Sequence, residues 1–224
     1  MGRMISVLVF GAVGVAILVS LGVWQVQRLA WKEAVLADIE ARIAAAPVDL
    51  PGAPDPVADR YLPVQVEGRM AAEHVRVLVS QRGVGAGYRI ISALETGAGR
   101  RVLVDRGVVP TDETVPDPAD AAVRVTGNLH WPDERDGFSP DNDVAGNIWF
   151  AREVAVLAEH LGTEPVLIIA RALTPPEAGV SPLPVAVEGI PNDHLSYAVT
   201  WFLLAAVWLG MTLFMLWRIR RRPE

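Results

Sequence analysis

Four histidines and no cysteine set the chemistry open to this 224-residue chain. Without thiols it forms no disulfide, attaches no haem through thioethers, and holds no iron–sulfur cluster or thiolate metal site. His74, His130, His160 and His194 are spaced too widely for a paired metal site, and neither HExxH nor GxSxG occurs. Asp141 and Asp143 flank Asn142, but the glycine and terminal glutamate of an EF-hand do not follow in register. Met211 and Met215, four apart, fit lipid or helix packing better than copper. One histidine is distinguished by its place. In Pro191-Asn192-Asp193-His194-Leu195-Ser196-Tyr197, His194 stands where a polar stretch ends and an uncharged run begins. On a helix, His194, Tyr197, Ala198, Trp201, Ala205 and Trp208 share a face, an imidazole above a column of aromatic and small residues. Two readings fit that face: a helix-start histidine over an interfacial aromatic belt, or a ligand-binding imidazole. A second set lies near the other apolar run, where Trp24, Arg28 and Trp31 fall on one helical face. Trp24 suits an interfacial anchor and Arg28 a cation reaching for lipid phosphate. Alternatively Arg28 and Gln25 face the His194 end and offer hydrogen bonds to an anionic ligand.

The elements that must position these residues are two apolar spans. Met4 to Val23 has no charge after Arg3, and its length and continuation into Trp24-Gln25 fit an uncleaved anchor better than a signal peptide. Tyr197 to Trp217 is again uncharged, and about 20 apolar residues suffice to cross a hydrocarbon core of about 30 Å. Asn192 or Asp193 is the expected cap of this second helix. Ala12, Ala16 and Ser20 form a small-residue stripe on the first span, and Ala206 and Gly210 a shorter one on the second, so the two spans are expected to pack through them. Residues 26–193 hold 15 of the 20 Lys and Arg but 25 of the 26 Asp and Glu, a net of −10, while Arg3 and Arg218, Arg220, Arg221 and Arg222 flank the spans. That distribution predicts two cytoplasmic termini and an external middle, in a bacterial periplasm or equivalent space. An acidic middle argues against nucleic-acid binding. Mean hydropathy of +0.30 with 21% charged residues fits a membrane protein with a real polar portion.

The middle reads as strands. Tyr61–Met70, His74–Arg82, Tyr88–Leu94, Arg101–Val109 and Ala122–His130 are short, β-branched and bounded by turn residues, and Gly83 to Gly87 is a flexible turn with no nucleotide-loop pattern. Asp133 to Asn147 is an exposed polar loop whose acidic residues are taken as solvated. Arg152–Leu161 is a soluble helix stopped by Gly162, and Glu164–Ala172 a central apolar strand. The expected fold is α+β: two transmembrane helices flanking one external, antiparallel, β-rich domain, sandwich-like or a partly closed barrel, with one soluble helix. The expected division is 1–24 for the first tip and span, 25–46 for a juxtamembrane helix, 47–60 for a stiff Pro-rich linker, 61–193 for the β domain, 194–217 for the second span and 218–224 for a basic tail.

Three motifs carry a resemblance. Leu21-Gly22-Val23-Trp24-Gln25-Val26-Gln27-Arg28-Leu29-Ala30-Trp31-Lys32 follows the first span. Gly87-Tyr88 and Leu103-Val104-Asp105-Arg106-Gly107-Val108-Val109-Pro110 lie mid-domain. Asn192-Asp193-His194-Leu195-Ser196-Tyr197-Ala198-Val199-Thr200-Trp201-Phe202 opens the second span. Pro140-Asp141-Asn142 and Asn147-Ile148-Trp149 add to these. In this order the chain resembles the Surfeit-locus family of cytochrome c oxidase assembly factors, which includes the yeast Shy proteins. It departs at Asp193, where a second Asn is common, and at Val108, where Trp is common. The resemblance implies a non-enzymatic factor of the bacterial inner membrane that binds haem a at the external membrane surface for delivery to oxidase subunit I, working beside the haem a synthesis machinery. A neutral imidazole is a common axial ligand. His194 is then the expected ligand to haem iron, Tyr197, Trp201 and Trp24 the expected packing surface, Arg28 the expected propionate partner, and Gln25 a further expected haem-binding residue. The alternative is a membrane scaffold that stabilises assembly intermediates without touching haem.

Overall fold

The computed structural model describes residues 2–81, 85–187 and 190–221. They form two compact units, Ile39–Ala186 and the pair Met1–Asp38 with Val187–Glu224.

The first unit is a closed barrel. Its strands are β1 (Val48–Asp49), β2 (Pro63–Gln81), β3 (Gly85–Thr96), β4 (Arg101–Pro110), β5 (Ala122–Leu129) and β6 (Leu167–Thr174). The order is β1-β2-β3-β4-β6-β5, and β5 pairs back onto β2. β2 makes this closure possible because it serves two seams. Its first half pairs with β5 from Pro63↔Asn128 to Arg69↔Ala122. An irregularity between Met70 and His74 turns the strand, and its second half continues along β3. A bulge adds twist and bends a strand, as closing a small barrel requires. The two expected strands Tyr61–Met70 and His74–Arg82 are therefore one. Arg82, Gly83 and Val84 lie outside the described residues, and Gly85 to Gly87 belong to β3 instead of a turn. The ladder is antiparallel except at β4–β6, parallel from Leu103↔Leu167 to Asp105↔Ile169, and at the short β1, parallel to β2.

Two apolar layers lie on opposite sides of the barrel wall. Val64, Leu94, Val102, Val104, Val125 and Ile168 fill one cluster. Leu103, Leu167 and Ile169 face the other, against Trp149 and helix α2 (Val154–Leu161). Successive β4 residues thus point into both layers, so β4 is buried almost throughout and does not alternate in polarity. Helix α2 ends at Gly162 in the left-handed region, as its sequence predicts. Its start is two residues later than expected, because Arg152 turns inward to pair with Glu134 and Asp105.

Charged groups are built into this unit. Asp105 is fully buried, accepting from Arg89 Nε at 2.5 Å, from Arg152 at 3.5 Å and from the Gly107 amide at 3.2 Å. Arg106 next to it is also fully buried, donating to Glu177, to Ser92 Oγ at 3.3 Å and to the Pro116 carbonyl at 2.8 Å. Gly107 completes the group. Its φ is +132°, and any Cβ there would overlap the backbone of Ser181. The expectation that the acidic residues of the Asp133 to Asn147 loop are solvated fails at Glu134, which pairs with Arg152.

The second unit is two helices, α1 (Gly2–Ala44) and α3 (His194–Arg220), each containing a span long and apolar enough to cross a membrane. The protein is a membrane protein of the α+β class. α1 is continuous, so the expected juxtamembrane segment 25–46 extends the same helix to Ala44. Within the barrel unit, the Ile43 carbonyl near its end accepts from Asn128 and Arg171, both at 3.1 Å. The segment behind it carries β1 and a turn in which Asp55 Oδ1 accepts from the amides of Val57 and Ala58.

The spans meet through a different face from the one expected. Ala12, Ala16, Ser20 and Ala206 are exposed, and nothing lies near Gly210. The contact uses Gly11 against Thr212, Gly14 against Trp208, and Gly22 against Phe202, where any added side chain would overlap its neighbour. From α3 it uses the buried Ala198 and Ala205. The stripe 11, 14, 18, 22, 25 follows the 3.6 repeat, and its three glycines let larger α3 side chains lie against the backbone.

Candidate functional site

The candidate site is the His194 end of the helix pair. Gln25 is the polar residue buried on α1, with 8% of its surface exposed. It sits one turn beyond Gly22, on the stripe that faces α3. Its Oε1 lies 2.7 Å from His194 Nδ1. An amide oxygen only accepts, so the imidazole donates through Nδ1–H, and in the neutral ring Nε2 carries the free lone pair. This is the arrangement that metal-ligating histidines favour: a carbonyl partner on one nitrogen fixes the ring and raises the basicity of the other. Two further turns along α1, Lys32 Nζ donates to the Pro191 carbonyl just before the α3 start. Gln25 and Lys32 thus fasten both sides of the His194 turn to α1.

The α3 start is not capped as expected. Asp193 is the N-cap residue but makes no side-chain cap bond, while its carbonyl accepts from the Tyr197 amide at 3.1 Å. Asn192 Oδ1 is buried without a hydrogen-bond partner among the described residues.

Of the expected site residues, the structure brings His194 and Gln25 into direct contact. Trp201 is half-buried on the helix–helix face below them, with Ala198 and Ala205. Tyr197 is 56% and Trp24 54% exposed, both at the margin of that face. Arg28 is exposed and lays its guanidinium over the Trp31 ring, 3.8 Å from the centroid. That contact engages the π face of Trp31. Lys32 was not singled out from the sequence, although it is seven residues from Gln25 and so on the same face of the helix.

The other histidines are absorbed by the barrel. His74 contacts the Ala72 carbonyl at 3.0 Å, His160 packs on Trp149 at 5.1 Å, and His130 stacks on Tyr61 at 5.2 Å. Burial, with the nearby Arg152 and Arg60 cations, pushes the His130 imidazole down from 6.5 to about 4, so it is neutral at ordinary pH. Asp141 pairs with Arg135, Asn142 Oδ1 accepts from the Phe150 amide, and Asp143 accepts from the Gly146 amide, so this cluster holds its own loop. Burial alone would raise the Glu134 carboxyl, but the bonds and charge of Arg152 outweigh it and hold Glu134 below the usual range.

Comparison with known proteins covers this site and the barrel together. The SURF1 family profile matches residues 12–206, which include Gln25, the Asp105-Arg106-Gly107 group and His194. "Surfeit locus protein 1" of Homo sapiens is 31% identical over 209 residues, covering 83% of this chain and 69% of that protein. The Xenopus tropicalis protein of the same name is 30% identical over 211 residues, covering 84% and 68%. A "SURF1-like protein" of Drosophila melanogaster is 32% identical over 212 residues, covering 83% and 69%. A match of this length through both helices and every strand of the barrel means that the chain belongs to the SURF1 family.

Proposed function

We propose that this protein is a non-enzymatic assembly factor for cytochrome c oxidase that holds haem a as cargo at His194 and passes it to subunit I. The observation that carries this reading is the 2.7 Å contact between His194 Nδ1 and Gln25 Oε1, which leaves Nε2 with its lone pair to bind iron. Around it, Tyr197 and Trp24 are exposed and Trp201 is half-buried, offering aromatic surface to a flat macrocycle. Arg28 is the group for a propionate, its guanidinium already ordered over Trp31. In this reading the protein lies in the bacterial inner membrane with both termini in the cytoplasm and residues 26–193 outside. The basic residues Arg3, Arg218, Arg220 and Arg221 beside the spans support that orientation.

The test uses the full chain purified from cells that make haem a, with its visible spectrum recorded. The expected result is a bound haem band that His194→Ala abolishes or shifts, with the variant still inserted and abundant. His194→Met should restore a band with a different position, since thioether sulfur is also an axial donor. If His194→Ala retains haem a with unchanged spectrum and affinity, the ligand assignment fails and a haem-independent scaffold remains.

A further inference from the structure

We infer that the helix pair carries a second binding site, for an anionic phospholipid, at the end opposite His194. A groove of about 500 Å³ runs between the helices, lined by Ser6, Val7 and Phe10 of α1 and by Trp208, Met211, Thr212 and Met215 of α3. Its walls are almost wholly apolar. Its floor follows from the packing already described: Gly11 and Gly14 admit Thr212 and Trp208 against the backbone of α1. Beyond them Phe10 and Trp208 meet at 5.5 Å with their planes tilted by 48°, and the helices leave space instead of closing.

Both walls end in a cation on the same stripe. On α1, Arg3 lies three residues before Ser6 and four before Val7, which places it one turn further along the groove wall. On α3, Arg218 lies three residues beyond Met215 and continues the series 208, 211, 215. Both are exposed, and no carboxylate lies within α3 or in α1 before Glu33. From Trp208 to Arg218 is 10 residues, about 15 Å of helix, which matches one leaflet of a hydrocarbon core of about 30 Å. An occupant must therefore present an acyl chain to Phe10, Trp208 and Met215 and a negative headgroup to two guanidiniums at headgroup depth. A phosphate between them accepts charge-assisted bonds, and basic clefts between spans are known to take such headgroups. Methionine walls suit an acyl chain because they repack around it. A neighbouring protein helix would fill the apolar wall but has no need of the paired cations.

The charge arrangement supplies an internal control. Arg220 carries the same charge as Arg218 two residues away, about 200° further round the helix and off the groove stripe. The full chain in a non-ionic detergent is mixed with equal amounts of phosphatidylglycerol and phosphatidylcholine of one acyl length, and retained lipid is counted by native mass spectrometry. The wild type should retain phosphatidylglycerol preferentially. Arg218→Gln should lower that preference about fivefold, the usual contribution of one basic residue near a membrane surface, and Arg220→Gln should leave it nearly unchanged. Ser6→Trp, which fills the groove and leaves every charge in place, should abolish retention. Equal losses for the two arginine variants would overturn the site in favour of diffuse attraction, and retention by Ser6→Trp or no headgroup preference in the wild type would overturn it outright.

Discussion

The barrel and the helix pair use polar residues in opposite ways. In the barrel, Asp105 and Arg106 are fully buried and bonded to Arg89, Arg152, Glu177 and Ser92. In the helix pair, His194 has one nitrogen held by Gln25 and the other without a hydrogen-bond partner among the described residues. The same contrast appears among the family-like motifs: the mid-domain motif from Asp105 to Val108 ties strand β4 to Arg89, Arg152, Glu177 and Ser181, whereas the two motifs at the spans converge on one imidazole. A motif therefore says that its residues are constrained, and the partners decide whether the constraint serves folding or binding.

The largest expected effect is in the barrel. Asp105→Asn leaves the buried Arg89 without its counter-charge, and breaking a buried pair from one side costs about 3–5 kcal/mol. That is a large share of the stability of a domain, about 5–15 kcal/mol, so the variant should unfold at markedly lower denaturant or be degraded in cells. An unchanged unfolding midpoint would mean that the network is ornamental. Gly107→Ala comes next. Its φ of +132° and the Ser181 backbone leave no room for Cβ, and a strained residue of this kind costs about 1–3 kcal/mol before the clash is counted.

The helix pair should answer differently. Gln25→Leu removes the acceptor that fixes the His194 ring but keeps the apolar packing beside Gly22. Unfolding of the barrel should not change. Any bound haem should be retained about 10–100-fold less well, the usual consequence of losing a ligand's hydrogen-bond partner. Should Gln25→Leu bind haem as the wild type does, the tautomer argument loses its support.

The smallest effect is a pH dependence in the barrel. His130 titrates at about 4 when folded and near 6.5 when free, so the unfolded chain takes up a proton first as pH falls. The stability conferred by its neutral burial is present above pH 6.5 and is lost as the pH drops toward 4. His130→Gln should flatten the decline in melting temperature across that interval.

Much of this was legible in the chain. The two spans, the strand-rich middle and the stop of α2 at Gly162 follow from local properties: uninterrupted apolar length, alternation of β-branched residues, and a residue free to adopt the left-handed region. His194 was legible because it is the one histidine at a polar–apolar boundary. The merging of two strands into β2 was not, since Ala71–Glu73 fall between two separate strand patterns, whereas closure of the barrel bends one strand there instead. Nor was the packing face of the spans. Ala12, Ala16 and Ser20 satisfy a small-residue pattern as well as Gly11, Gly14 and Gly22 do, and only the partner helix distinguishes the two faces.

By itself, then, the sequence determined which segments are helix, strand and membrane span, because those depend on neighbours within a few residues. Only the tertiary structure decided the partners of the charged residues. Arg89 and Asp105 are 16 positions apart, Arg106 and Glu177 71, and Gln25 and His194 169. At such separations the chain can return to a residue in many ways, and the choice falls to barrel closure and to which glycines let two helices touch.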